Sequence, residues 1–164
     1  MKALRMVLIF GVALILQSTL VRLVAIEGIQ PDLILLALFF IALMEGSYPA
    51  TIAGFSVGLV QDLYSPQTLG LNALSKSLIG FALGFCQRGV FVEGLIPRSL
   101  ILFAAVLLHD LIYFVVSLWP DIGAGLGRVL LIGFPTALYT AILGYVIFYF
   151  MHRKEQLQPL QDIP

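Results

Sequence analysis

Three polar residues lie close together in a stretch of the chain that is otherwise apolar. Asp62, Asn72 and Lys76 occur within GLVQDLYSPQTLGLNALSKSLIGFALG, residues 58–84. A carboxylate and an ammonium can form an ion pair, and a side-chain amide between them can donate to one and accept from the other. What this cluster does depends on the solvent around it and on the elements that carry it.

A second motif, GFSVG at Gly54–Gly58, matches the G-x-S-x-G of a hydrolase nucleophile elbow. That elbow needs a strained strand-to-helix turn, whereas Ser56 lies in an apolar segment that is predicted to be helical. A membrane protease could still pair Ser56 with His109, and the sequence leaves this open. Asp110 follows His109 directly, so we expect their side chains to point to different helix faces and Asp110 not to orient the imidazole.

The composition is that of an integral membrane protein. Hydrophobic residues make up 60% of the 164 positions and charged residues only 11%, and the mean hydropathy is +1.05. A soluble domain has roughly 45–50% apolar and about 25% charged residues. Nine basic and nine acidic residues leave no net charge, so we expect membrane lipid and no nucleic acid as a partner. A single cysteine, Cys86, excludes a multi-cysteine metal site; we expect no metal, cofactor or catalytic residue.

We predict an all-α fold, a bundle of six transmembrane helices, because a helix needs about 20 mainly apolar residues to cross a bilayer. The predicted spans are Leu4–Leu20, Leu33–Met44, Ala50–Leu63, Leu69–Cys86, Ser99–Trp119 and Val129–Met151. The second and third are short and separated only by EGSYPA. They are either a tight helical hairpin or one broken, re-entrant pair.

The basic residues predict the orientation of the bundle. On one side lie Lys2, Arg5, Arg88, Arg98, Arg153 and Lys154, on the other Arg22 and Arg128, and within a span Lys76. Positive residues mark the cytoplasmic side, so we expect a multi-pass protein of the bacterial inner membrane with both termini in the cytoplasm. Residues 1–151 are predicted to form one membrane domain and residues 152–164 a short cytoplasmic tail. The first apolar run resembles a signal peptide, but we expect an uncleaved span.

The outer turn YSPQT separates the acid from the amide and the base. Asp62 closes the third span, Pro66 blocks helix continuation, and Ser65 or Thr68 can cap the fourth. One interpretation is that Lys76 snorkels to the outer interface and Asp62 is merely interfacial. The other is that Asp62 and Lys76 pair in the interior, with Asn72 as a bridge, and hold the two spans in register.

Small residues predict where helices touch. Two GxxxG steps lie on consecutive spans, at Gly54 and Gly58 and at Gly80 and Gly84. Glycines four apart share a helix face and allow close backbone approach. They favour packing of the third span against the fourth or against a partner helix.

The stretches PDLILLALFFIALMEG and GFSVGLVQDLYSPQTLGLNALSKSLIGFALG resemble the bacterial rod shape-determining MreD family. The likeness consists of a Pro-Asp before the second span, G-x-x-x-G-L-x-x-D-L, L-G-x-N-A-L and G-x-x-x-G. It covers residues 31–84 well, and the last two spans match mainly in length and apolarity. The positions that match the family pattern are Pro31, Asp32, Asp62, Leu69, Gly70, Asn72 and Ala73, to which we add Lys76.

The resemblance implies a fold, partners and a role. The fold would be like that of the substrate-binding subunits of energy-coupling-factor transporters. The partners would be the bitopic protein MreC and, within one complex, MreB, RodA and a penicillin-binding transpeptidase. The role would be that of a scaffold without enzymatic activity, binding the MreC transmembrane helix and helping to position lateral peptidoglycan synthesis.

Two functions from different classes remain open. One is this scaffold, and the other is a solute-binding membrane subunit of a vitamin-type transporter, to which fold likeness alone would lead. A solute-binding subunit should have a cavity lined by several polar or aromatic groups. Here the polar residues of the spans cluster on one helix pair, and Trp119 lies at a membrane boundary. That favours the scaffold, and self-association of the chain stays open.

Overall fold

The structure, a computed structural model, describes residues 2–19, 25, 29–89 and 94–157. The helices are α1 (Lys2–Thr19), α2 (Leu33–Glu45), α3 (Ser47–Asp62), α4 (Leu71–Gly89), α5 (Leu95–Ser117), α6 (Ile122–Arg128) and α7 (Phe134–Leu157). A π-helical segment, Val129–Gly133, joins α6 to α7 without a break. The described residues therefore form six helical bodies, and the prediction of an all-α fold is confirmed for them.

Two of these bodies are long and apolar enough to cross a membrane. They are Leu95–Ser117 and the continuous stretch Ile122–Met151, whereas Met6–Thr19, Leu33–Glu45 and Leu71–Cys86 are shorter apolar helices. α2 has 13 residues and α3 has 16, which gives rises of about 20 and 24 Å against about 30 Å of hydrocarbon. The bundle thus combines two full-length helices with shorter ones.

The last helix is longer than predicted at both ends. It begins at Ile122 rather than Val129 because the carboxylate of Asp121 accepts from the N–H of Ala124 and caps a new first turn (2.9 Å). It runs to Leu157 rather than Met151, because HRKEQ contains good helix formers and the helix-breaking proline comes only at 159. The predicted polar tail is therefore helical over its first residues, and residues 158–164 lie outside the described part of the chain.

The connection between α2 and α3 is a single residue, Gly46. Its φ of 86° is a left-handed conformation that glycine adopts without strain, and its N–H donates to the carbonyl of Ala42 at the end of α2. The structure shows two separate helices joined by Gly46 alone, an arrangement common to both alternatives that the sequence left open.

Helix α2 is the centre of the bundle. Its residues are buried almost without interruption from Ile34 to Phe39, and it contacts α1, α3, α4, α5 and α7. A helix that is apolar all round belongs in an interior. Aromatic packing joins it to α7, where the ring of Phe148 lies 5.5 Å from that of Phe39 and 5.2 Å from that of Phe40. Around this centre, α3 pairs with α4 and α5 with α7.

Candidate functional site

The four glycines of the GxxxG steps lie in the contact between α3 and α4. A Cβ on Gly54 would collide with the backbone carbonyl of Lys76, and one on Gly58 with that of Asn72. A Cβ on Gly80 would meet the carbonyl of Ala50, and one on Gly84 the backbone of Ser47. As the position rises along α3, the facing position falls along α4, so the two helices are antiparallel and touch backbone to backbone. The structure therefore places α4, and not a partner helix, against these glycines.

Asp62 lies at the end of α3 and binds the first N–H groups of α4. The Oδ1 of Asp62 accepts from the backbone N–H of Asn72 (3.1 Å) and from its side-chain amide (3.0 Å), and Oδ2 accepts from the N–H of Ala73 (3.0 Å). The first N–H groups of a helix have no partner within the helix, and a carboxylate there also complements the positive end of the helix dipole. Asp62 is fully buried (0% exposed), so it is an interhelical N-cap.

The sequence predicted that other residues would cap α4. We predicted that Ser65 or Thr68 would cap α4, but the side chain of Ser65 makes no capping bond, and Thr68 Oγ1 lies 3.4 Å from both the carbonyl of Ser65 and the hydroxyl of Tyr113. The reason is the short 3-10 turn Pro66–Thr68, after which Leu69 leads to Gly70 with a φ of 89°. This turn brings the first N–H groups of α4, those of Asn72 and Ala73, within hydrogen-bonding distance of Asp62.

Lys76 is the centre of a chain of polar side chains. Its Nζ donates to Asn72 Oδ1 (3.2 Å) and lies 2.8 Å from His109 Nε2, while His109 Nδ1 lies 3.0 Å from Asp110 Oδ1. With Lys76 as donor, Nε2 accepts and Nδ1 donates, which is one tautomer of a neutral imidazole. We call Asp62, Asn72, Lys76, His109 and Asp110 the polar network.

The polar network decides between the two interpretations of Lys76. Lys76 is only 1% exposed, so it does not snorkel to an interface. The structure describes both Lys76 and Asp62, and no direct ion pair joins them. Asn72 lies between the two residues and bonds to both. Asn72 bridges the two residues as predicted, but their charged groups do not meet, because the carboxylate of Asp62 is bound by the N–H groups at the start of α4.

One expectation about His109 is wrong, and one alternative that the sequence left open is not found in the structure. Asp110 does bond to the imidazole of His109, because a carboxylate can reach back along the helix surface to its neighbour's ring. Ser56 and His109 do not meet: the exposed Ser56 hydroxyl donates to the carbonyl of Ile52 (2.8 Å), and His109 Nε2 is engaged by Lys76. Ser56 faces away from α4 because Gly54 and Gly58 face towards it.

The polar network ends against the π-helical segment. A Cβ on Gly133 would lie 3.0 Å from the Cβ of Asp110 and 3.2 Å from its Oδ2, so the missing side chain makes room for the carboxylate. π-helical segments often occur at functional sites. Through these contacts the polar network connects α3, α4, α5 and the last helix.

Pro31 and Asp32 form a second group of polar contacts between helices, at the start of α2. The carboxylate of Asp32 accepts from the N–H of Leu35 (2.8 Å) and caps α2, while the N–H of Asp32 donates to Thr140 Oγ1 in α7 (2.9 Å). Gln17 of α1 donates to the carbonyl of Pro31 (3.2 Å) and accepts from the N–H of Leu33 (2.8 Å). These residues do not bond directly to Asp62, Asn72 or Lys76.

The arrangement is suited to fixing helix positions. In the described part of the chain no group of three or more His, Cys, Asp or Glu side chains could hold a metal ion. Each member of the polar network bonds to another member, and removing one partner of such a buried network strands the rest. Sequence reasoning missed that His109 and Asp110 belong to it; the signal was their position in the middle of a span, where an ionisable residue needs a partner.

Comparison with known families decides the identity. A family model described as the rod shape-determining protein MreD matches residues 1–154 of the 164-residue chain. The chain belongs to the MreD family. MreD is a membrane family, consistent with the two membrane-length helices, and membership implies a role in rod shape determination. No curated protein and no solved structure matches the chain.

Proposed function

We propose that this MreD-family protein is a membrane scaffold of the cell-elongation machinery. It binds the transmembrane helix of an MreC-like bitopic protein and helps to position lateral peptidoglycan synthesis, within a complex that includes MreB, RodA and a penicillin-binding transpeptidase. It performs no chemistry of its own. Family membership supports the role in rod shape, the partners are those that the family resemblance implies, and the buried polar network supports a scaffold without chemistry.

The observation that carries this proposal is that the side chains of the polar network form their hydrogen bonds within the protein. Asp62, Asn72, Lys76, His109 and Asp110 bond to one another and to the backbone of α4. Because Asp62 and Lys76 are almost completely buried, they are not available to an external substrate. A network that connects four helices and is hidden from solvent favours a fixed surface for a partner over a reaction site.

The alternative is the solute-binding subunit of a vitamin-type transporter, with the energy-coupling-factor fold. One observation favours it, a cavity of about 540 Å³, which falls in the usual range for small-molecule sites. Against it, Asn72 is the only member of the polar network that lines this cavity, and Trp119 stands 70% exposed. Copurification of a small vitamin at one-to-one stoichiometry would favour the transporter subunit.

The location that we propose is the bacterial inner membrane, with both termini in the cytoplasm. The distribution of basic residues along the sequence supports this orientation. The turn at Pro66–Thr68 then faces outwards.

Depletion in a rod-shaped bacterium that carries the gene tests the proposed role. We expect rods to become spheres, and the wild-type chain and Ser56→Ala to restore rods equally. Ser56→Ala serves as the matched control because its exposed hydroxyl bonds only within α3. Loss of rod shape with Ser56→Ala at normal protein level would contradict a role without chemistry.

A further inference from the structure

The two helix pairs of the bundle differ in the height of the apolar surface that they expose. α3 pairs with α4, α5 pairs with the last helix, and α2 contacts both pairs. The difference concerns the surrounding bilayer, because a hydrophobic protein surface and the hydrocarbon next to it adjust to the same thickness. The proposed scaffold role does not use this property.

The pair of α3 and α4 exposes a short apolar surface. α3 has 16 residues, and the apolar part of α4, Leu71–Cys86, is of the same length, so each rises about 24 Å. The surface includes Phe55 on α3 and, on α4, the stacked rings of Phe81 and Phe85. Tilting a helix only reduces the height that it spans, so about 24 Å is the upper limit for these two stretches.

Polar groups and tyrosines mark both ends of this surface. Glu45 and Ser47 lie at the link between α2 and α3, and the turn Pro66–Thr68 follows α3. Tyr48 and Tyr64, near the two ends of α3, are 76% and 82% exposed, and tyrosine is enriched where a membrane meets water. Their separation along the chain corresponds to about 24 Å in a helix, which agrees with the length of α3.

The last helix, which also packs on α2, exposes a taller apolar surface. The exposed basic residues Arg128 and Arg153 enclose Leu130–Met151, a stretch that contains no charged residue. This stretch rises about 30 Å, the hydrocarbon thickness of a typical bilayer. A tilt of about 37° would be needed to reduce it to the height of α3, well above the average of about 20° for membrane helices.

We infer that the bilayer is thinner beside α3 and α4 than beside the last helix, and that the face formed by α3 and α4 gathers membrane lipids with short acyl chains. Selection acts on the chains because the exposed surface between Tyr48 and Tyr64 is mainly apolar, with Ile52, Phe55 and Leu59 half exposed along it. The inference depends on the membrane location of the family and not on the partner that we propose, so either can fail without the other.

Tryptophan quenching by a brominated lipid tests this inference in the full chain. Trp119, the single tryptophan, is replaced by phenylalanine, and one new tryptophan is introduced. Phe55→Trp reports from the middle of α3, and Ile142→Trp, the matched control, reports from the middle of the last helix; the two native side chains are 50% and 56% exposed. Each variant is reconstituted in dioleoyl phosphatidylcholine brominated across its double bonds, mixed with an unbrominated competitor.

The competitors share one headgroup and differ in acyl-chain length: dimyristoleoyl, dioleoyl and dierucoyl phosphatidylcholine, from short to long. At Phe55→Trp we expect the short lipid to displace the brominated one about two-fold better than dioleoyl phosphatidylcholine does, because the free energy of mismatch rises only modestly with each ångström. At Ile142→Trp we expect dioleoyl phosphatidylcholine to compete best. Should Phe55→Trp fail to fold, Phe81→Trp reports from α4, where the native ring is 55% exposed.

The comparison of the two reporters decides the outcome. The same order of chain lengths at both positions would overturn the inference, and so would a preference for the long lipid at Phe55→Trp. Absence of quenching at Phe55→Trp, with normal quenching at Ile142→Trp, would show that protein, such as a second copy of the chain, covers α3 in place of lipid, and would also overturn it.

Discussion

Replacing Asp62 by alanine should detach the start of α4 from the end of α3. The carboxylate accepts three N–H bonds, two from the backbone of Asn72 and Ala73 and one from the Asn72 amide. The substitution removes the acceptor of all three donors at a position where Asp62 is fully buried.

The magnitude follows from the number of bonds. Hydrogen bonds between membrane helices contribute about 0.6 kcal/mol on average and up to about 1.7 kcal/mol, so three of them give about 2–5 kcal/mol. Asp121→Ala is the matched control: it removes the N-cap of α6, but that carboxylate is exposed and accepts a single bond, from Ala124. Its loss should cost about 1 kcal/mol or less.

The assay is the free energy of unfolding in mixed micelles, followed by tryptophan fluorescence as the fraction of SDS rises. Trp119 is the single tryptophan, so the signal has one source. Asp62→Asn should fall between wild type and Asp62→Ala, because it keeps one acceptor oxygen and places an amide nitrogen opposite the remaining donor. A cost for Asp62→Ala no greater than that for Asp121→Ala would refute the interhelical cap.

Three further predictions follow from the contacts within the bundle and its orientation. Gly80→Ala should destabilise the protein by more than about 2 kcal/mol in the same SDS titration, because the added Cβ meets the backbone of α3. Gly11→Ala is the control: a Cβ there has no neighbour within 4 Å, so the change should be neutral or slightly stabilising. Equal effects of the two substitutions would contradict the close contact. Lys76→Met and His109→Gln should be non-additive by about 1 kcal/mol in a double-mutant cycle, and strict additivity would mean that their 2.8 Å contact contributes nothing. Cysteine at Gln67 in a cysteine-free background should react with an impermeant maleimide from outside the cell, and protection would invert the orientation.

The elements that the sequence predicted well are those with strong local signals. Apolar runs between charges and Gly or Pro located the helices, and the GxxxG steps located the contact between α3 and α4, because both depend on residues close in the chain. The last helix was predicted to begin at Val129 but begins at Ile122, because the side chain of Asp121 caps it there. Helix ends depend on which side chain reaches the first N–H groups, and this is decided in three dimensions.

The candidate site was predictable only in part for the same reason. Asn72 and Lys76 lie one turn apart on one helix, and Asp62 is ten residues from Asn72, so their proximity follows from a short turn. His109 is 33 residues from Lys76, and Thr140 is 108 residues from Asp32. Those contacts depend on how α5 and α7 pack around α2, which no local pattern in the chain encodes.

The proposed scaffold role is tested most directly by capture of the partner. The tagged chain is solubilised in mild detergent from a rod-shaped bacterium that carries the gene, and copurifying membrane proteins are identified by mass spectrometry. We expect an MreC-like bitopic protein at near-equal stoichiometry with the wild-type chain, and less of it per folded molecule with Asp62→Ala. Recovery of the folded wild-type chain without any such protein, from cells that produce it, would contradict the scaffold.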